Sequence, residues 1–214
     1  MPGIEVPVFK QPRDSVLCGP TCAKMVLAYY GVNVSLKRIA GSMPMIKTGV
    51  HLSAIGTFFI NNGFETLLKF WEPSLKPCWF GVEDSDASRG ILRSKLFNKT
   101  TIKNYRFRLL QYLDAGGKLV FSPVMASDIS DELRARRPMI ININNMLCGS
   151  FGGRSNRGHY IVPVHISDND SQTSRLMMGY LDPGYGECRF RYVEEVMFYN
   201  HIWEGGGLFI RSVR

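Results

Sequence analysis

The apolar residues of this chain change their period about two-thirds of the way along it, and that change restricts the fold more than any other feature. Near the start, Cys18, Cys22, Met25, Val26 and Tyr29 recur at spacings of three and four, the stripe of a helix with one buried face. Pro20 suits the first turn, where a missing N–H costs nothing, and Gly31 is placed to end the helix. Shorter helices are expected over 35–42, with Ser35 as N-cap, and over 52–62, closed by Gly63. A strand over 64–71 follows, stopped by Pro73 and Pro77. Basic amphipathic helices are predicted around 89–96 and 104–113, and another helix over 128–137, ended by Pro138.

From Met139 onward the pattern is different. The runs 139–144, 159–166, 175–182 and 207–213 are rich in β-branched and aromatic residues and read as strands, with a short helix over 193–200. The run Gly205, Gly206 and Gly207 reads as a turn before the last strand, because no helix follows it to hold a phosphate. Helices first and a sheet afterwards make an α+β fold. The chain, 1–214, reads as one domain, with a helical lobe over about 8–65, a basic insert over about 66–130 and a β-rich lobe over about 131–214. A cleft is expected between the two lobes.

Composition supports a globular chain. Of the 214 residues, 45% are hydrophobic and 21% charged, which excludes wholesale disorder and collagen-like repeats. A chain of this size buries roughly 70% of its unfolded surface, enough for a core without staples. The longest uncharged apolar runs fall far short of the ~20 residues of a membrane-spanning helix. Five cysteines form no disulfide framework, and the first fifteen residues lack the apolar core of a secretory signal. A reducing, cytoplasmic compartment with free thiols is the expectation. Cys18 and Cys22 have no second close pair to complete a zinc site, so no metal or other cofactor is expected.

Lys and Arg number 26 against 18 Asp and Glu, and the excess is local. Between Arg89 and Lys118 stand eight basic residues and a single acidic one, Asp114. Such a field attracts acidic peptides or an anionic surface, although the plain alternative is a solvated face. The segment contains Tyr105 and Phe107 but no nucleic-acid recognition motif, so specific nucleic-acid binding is not expected.

The string QPRDSVLCGPTC at 11–22 carries the chemistry. Cys18 opens the striped helix, where unsatisfied N–H groups and the helix dipole favour a negatively charged sulfur. Cys22, one turn deeper on the same face, reads as a small core residue. A thiol nucleophile needs a base, and the base needs an orienting group. Of four histidines, His159 opens a long apolar strand just after the glycine-rich segment 149–158, which is a candidate lip of the cleft. Asp182 ends the next strand, where antiparallel pairing would set it beside His159. Gln11 lies seven positions before Cys18, so its amide and the Cys18 N–H form a candidate oxyanion hole.

In order along the chain, Gln11, Cys18-Gly19-Pro20-Thr21-Cys22, Tyr29-Tyr30-Gly31, Gly49 with the helix to Gly63, Gly158-His159-Tyr160 and Asp182-Pro183 resemble the papain-like cysteine peptidases. Specifically, they resemble the bacteriocin-processing, double-glycine leader peptidases and their stand-alone relatives. The resemblance covers about 8–65 and 130–213 and leaves out the basic middle. It implies a papain-like fold, a nucleophile at Cys18, a base at His159, an orienting carboxylate at Asp182 and an oxyanion donor at Gln11. It also implies amide cleavage through an acyl-enzyme, with a peptide or protein as substrate. The gap from Gln11 to Cys18 is one residue longer than the papain spacing, so the loop 12–17 is expected to bulge. No transporter domain follows in the sequence, so leader export is not expected to be coupled to cleavage.

Two other functions stay open on the residues alone. An acyltransferase or amide ligase would deliver the same acyl group to an amine or thiol instead of water. A non-catalytic basic module would keep the fold and bind anions through the 89–118 segment.

Overall fold

The two halves of the chain meet in one seven-stranded sheet. The structure, a computed structural model, describes residues 3–72, 75–94, 105–144, 158–167, 175–201 and 205–212. Helix α1 spans Cys18–Tyr29, α2 Leu36–Gly41 and α3 Leu52–Asn61, as their spacing predicts. Ser35 caps α2, its hydroxyl accepting from Arg38 N–H at 3.3 Å. Gly31 follows α1 at φ 76°, a left-handed conformation that glycine adopts without steric cost, and the chain reverses there.

Strand β1 (Phe64–Phe70) follows α3, and helices α4 (Ser85–Arg93) and α5 (Arg106–Asp114) lead to β2 (Lys118–Phe121). Helix α6 covers Ala126–Arg134. It ends three residues before the expected stop because Arg136 turns to φ 54°, and Arg137 folds back onto Glu132 through two hydrogen bonds of 2.9 and 2.8 Å. Strands β3 (Met139–Asn144), β4 (Gly158–Ser167), β5 (Met177–Asp182) and β6 (Glu187–Tyr192), helix α7 (Val193–His201) and β7 (Gly206–Ser212) complete the order. Gly206 and Gly207, read from sequence as a turn, are the first two residues of β7.

The strand order is β2-β1-β7-β3-β4-β5-β6. The pairings are antiparallel except that of β1 with β2, where Leu68 stands opposite Leu119. The sheet therefore reaches beyond the C-terminal strands. It takes β1 from the helical half and β2 from the basic segment, and the register of β1 against β7 (Leu67 opposite Phe209) joins the halves. Helix α3 lies on β1 and β7 and also packs against α5, while α1 lies against β4. Between helices and sheet, Met25, Leu27, Ile55, Phe59, Leu68 and Tyr112 are fully buried. This core fixes the start of α1 relative to the start of β4, and the site depends on that relation.

Within the basic segment, Arg89 is a structural pin. Its guanidinium bonds Asp86 at 3.2 Å, Asp114 at 3.4 Å and the Leu113 carbonyl at 2.8 Å, tying α4 to the end of α5. Lys95, Lys99, Lys103, most of the 149–158 segment, Cys148 and Trp203 lie outside the described residues.

Candidate active site

Cys18 is the first residue of α1, and no acidic side chain stands in that first turn. Thr21 N–H already bonds the Leu17 carbonyl at 2.9 Å, so the helix begins immediately behind the sulfur. Gly19 and Pro20 are buried. Cys22 is fully buried, as its place on the stripe predicts, and its Sγ donates to the Tyr160 carbonyl at 3.3 Å. That bond and the stacking of Gly19 under the Tyr160 ring dock the helix start on the mouth of β4.

His159 is the second residue of β4, opposite Ile143 of β3. It is 2% exposed, and its Nε2 lies 2.9 Å from Oδ1 of Asp182, itself 0% exposed at the end of β5. Paired with an ionised carboxylate, which can only accept, Nε2 would carry the hydrogen of this bond. The same Oδ1 accepts from Gly184 N–H at 2.8 Å, in the turn that Pro183 starts. The Asp-Pro-Gly sequence thus fixes the carboxylate and turns the chain at once. The antiparallel neighbours expected from the strand order are in contact.

Gln11 is 5% exposed and joins the same corner through its backbone, N–H to the Pro183 carbonyl at 2.8 Å. Its side-chain Nε2 donates to the Ser15 carbonyl at 3.3 Å, and Oε1 has no hydrogen-bond partner among the described residues. The intervening loop makes a turn, with Ser15 N–H to the Pro12 carbonyl at 3.3 Å and Asp14 at φ 54°. Of the four nominated residues, His159 and Asp182 are in direct side-chain contact. Cys18 lines a cavity whose described lining includes none of the other three.

That cavity holds about 270 Å³ and is lined by Cys18 and by Gly158 and Tyr160, the two neighbours of His159. Its lining also includes His51, Tyr105 and Asn142, none of which the sequence placed at the site. His51 caps α3, and its ring meets Tyr105 edge-on with centroids 4.6 Å apart. Burial, with the charge of Arg108 adding to it, holds the His51 pKa below its ordinary 6.5. Asn142 lies opposite Tyr160 in the sheet, and its carbonyl accepts from buried Asn200 at 2.6 Å. The one sequence signal for Asn142 was a polar residue inside the apolar run MIININ. Among the described residues, no group of three or more His, Cys, Asp or Glu side chains is placed to hold a metal ion.

The Tyr160 hydroxyl donates to the Val50 carbonyl at 2.8 Å, closing the cavity wall. Burial pushes its pKa far up, and the two nearby thiols, Cys18 and Cys22, add to the shift. Tyr160 is therefore a neutral donor across the working pH range.

Comparison with known proteins bears on this geometry. The family described as "Peptidase_C39 like family" matches residues 3–205. Among solved structures, a double glycine motif protease from an AMS/PCAT transporter, in complex with the leader peptide, is 16% identical. It aligns over 99% of this chain and 94% of its own, with a TM-score of 0.53. The peptidase domain of Streptococcus ComA, a bifunctional ABC transporter of a quorum-sensing pathway, is 17% identical over 97% of this chain and 99% of its own, with a TM-score of 0.50. At these identities the two structures share the fold with this chain. A comparison with curated proteins finds no match.

Proposed function

The chain belongs to the Peptidase_C39-like family, with the papain-like fold of a cysteine peptidase, and from that premise we propose that Cys18, His159, Asp182 and Gln11 are its catalytic set. The observation that carries the reading is the buried His159–Asp182 bond, on a strand whose Gly158 and Tyr160 line a cavity together with Cys18.

On this reading the two ring nitrogens have separate roles. With Nε2–H given to the carboxylate, Nδ1 is the atom that takes the proton from the Cys18 thiol. The sulfur then attacks the substrate carbonyl carbon, while the Cys18 N–H at the helix start stabilises the developing oxyanion. Gln11 Nε2 carries two hydrogens, and the one not directed at Ser15 is the second donor. The imidazolium returns its proton to the leaving nitrogen as the C–N bond breaks, which leaves a thioester on Cys18. Water attacks that thioester with His159 again accepting the proton, the C–S bond breaks, and the thiol is restored. Asp182 stays ionised throughout; it orients the ring and stabilises the imidazolium.

A peptide is the substrate class this reading favours, since one of the similar structures is a protease bound to a leader peptide. Among the described residues no helix is long and apolar enough to cross a membrane. The test is hydrolysis of a peptide library by the purified chain and by its Cys18→Ala variant. Turnover that vanishes with Cys18→Ala supports the reading, and turnover that persists rejects it. Adding candidate amines to the same assay reads whether water is the acceptor.

A further inference from the structure

In the proposed reaction Asp182 stays ionised although it is 0% exposed, and a buried carboxylate keeps its charge only if neighbours replace what water supplied. Its Oδ1 lies 2.9 Å from His159 Nε2 and accepts from Gly184 N–H at 2.8 Å. While the imidazole is neutral, neither contact brings a positive charge. The edge strand β6 supplies the charged neighbours. Glu187 stands directly opposite Asp182, and opposed residues of an antiparallel pair share a face, so this neighbour brings like charge. Arg189 stands opposite Tyr180, two positions along the same face, where a side chain of its length has diagonal reach to Asp182.

The guanidinium is seated as well as charged. Arg189 Cζ lies 3.9 Å from the centre of the Tyr185 ring, in the turn that Asp182 opens. Gly186 N–H closes that turn on the Asp182 carbonyl at 2.8 Å, and Lys10 packs against Gly186 from the N-terminal segment. Partial burial works against the charge of Arg189, but its hydrogen bond with Tyr185 and the charges of Tyr185, Tyr180 and Asp182 outweigh it and raise its pKa above the ordinary value. Resting on the reading of His159 as base and Asp182 as its orienting group, we infer that Arg189 is a positioning residue, seated on Tyr185, that keeps Asp182 ionised. It offsets the like charge of Glu187 and acts on the reaction through the carboxylate.

The experiment follows alkylation of Cys18 by iodoacetamide from about pH 4 to about pH 9, located by peptide mass mapping, in the parent, Arg189→Met, Arg189→Lys and Glu187→Gln. In the parent the rate should fall through an acid limb well below the ~8.5 of an ordinary thiol, where the thiolate–imidazolium pair is lost. Arg189→Met keeps the stem and removes the charge, so Asp182 takes up a proton at higher pH and the limb should rise by about half a unit or more. Arg189→Lys retains a cation and should hold the limb near that of the parent. Glu187→Gln removes like charge and should move the limb the other way, by less because Glu187 is exposed. A limb that stays in place in Arg189→Met, rises as far in Arg189→Lys, or rises in Glu187→Gln overturns the role of Arg189 while leaving Cys18 and His159 as a pair. A parent rate that follows an ordinary thiol overturns the pair and the role of Arg189 together.

Discussion

His159 and Asp182, twenty-three residues apart, hold each other at 2.9 Å with both side chains out of water. A buried imidazole bonded this way is held in one tautomer and one orientation. Replacing Asp182 by Ala removes the orienting acceptor and leaves Nε2–H without it. Turnover is expected to fall by on the order of 10²-fold or more, with KM changed far less, because the lost interaction acts in the transition state. Unfolding stability should drop by about 1–3 kcal/mol for the stranded donor. Steady-state kinetics of the variant check this; a loss confined to KM would contradict the orienting role.

Gly19 sits under the wall of the site with no room for a side chain. A Cβ there would stand 2.6 Å from Val50 Cγ1, 2.9 Å from Ile55 Cδ1 and 3.2 Å from the Tyr160 ring. Gly19→Ala forces the start of α1 away from β4 and carries the Cys18 sulfur with it. The expected result is a loss of activity larger than the loss of stability, since overpacking costs about 1–3 kcal/mol whereas small misplacement at the reacting atoms costs on the order of 10²-fold. Parallel measurement of kcat/KM and thermal unfolding decides; full activity in a destabilised variant would refute the argument.

Much of this arrangement is legible in the amino-acid order, because it rests on local signals. The α1 stripe, its proline and its terminal glycine place Cys18 at a helix start, and the turn chemistry of Asp182-Pro183-Gly184 places a carboxylate at a strand end. Strand β2 is not legible, since KLVF is four residues long and its parallel partner β1 lies some fifty residues earlier. Strand β6, ECRFRY, is an edge strand whose polar residues face water, so it has no apolar run to announce it. His51 and Tyr105 are not legible as a pair for a related reason. Their edge-on contact spans fifty-four positions, and nothing in either neighbourhood marks them as partners.

The basic segment is held to the core by Tyr112, which is fully buried between α3 and the sheet. Its hydroxyl is 2.9 Å from Thr66 Oγ1 and donates to the Lys118 carbonyl at 3.1 Å. Gly56 of α3 faces the ring, and a Cβ there would lie 2.5 Å from it. Alanine is the better helix former by ~1 kcal/mol, yet Gly56→Ala is expected to destabilise the protein by about 1–3 kcal/mol, because the clash outweighs propensity. Chemical denaturation reads the sign directly, and a stabilised variant would show that α3 and α5 are not packed as described.

His51 predicts a pH dependence of stability. Its folded pKa lies below the unfolded value of 6.5, so on acidification the unfolded chain takes up a proton before the folded one does. The contribution of neutral His51 is complete above 6.5 and is lost as the pH falls from there through the folded value. His51→Gln removes this titration. Between about pH 8 and about pH 5 the melting temperature of the parent should therefore decline more than that of the variant. Equal declines would mean that the ring is solvated and not held in the cavity wall.

The proposed mechanism requires that the acyl group form on the Cys18 sulfur. Cys78 and Cys188 are exposed, Cys18 is half-buried and Cys22 is buried, so accessibility alone favours the wrong thiols. Acid-quenching a reaction with a cleavable peptide ester, then mapping the acylated peptide by mass spectrometry, separates position from exposure. The thioester is predicted on Cys18, accumulating within the first turnover and absent from Cys18→Ala. An acyl group on Cys78 or Cys188, or hydrolysis that continues with no acylated cysteine, would contradict it.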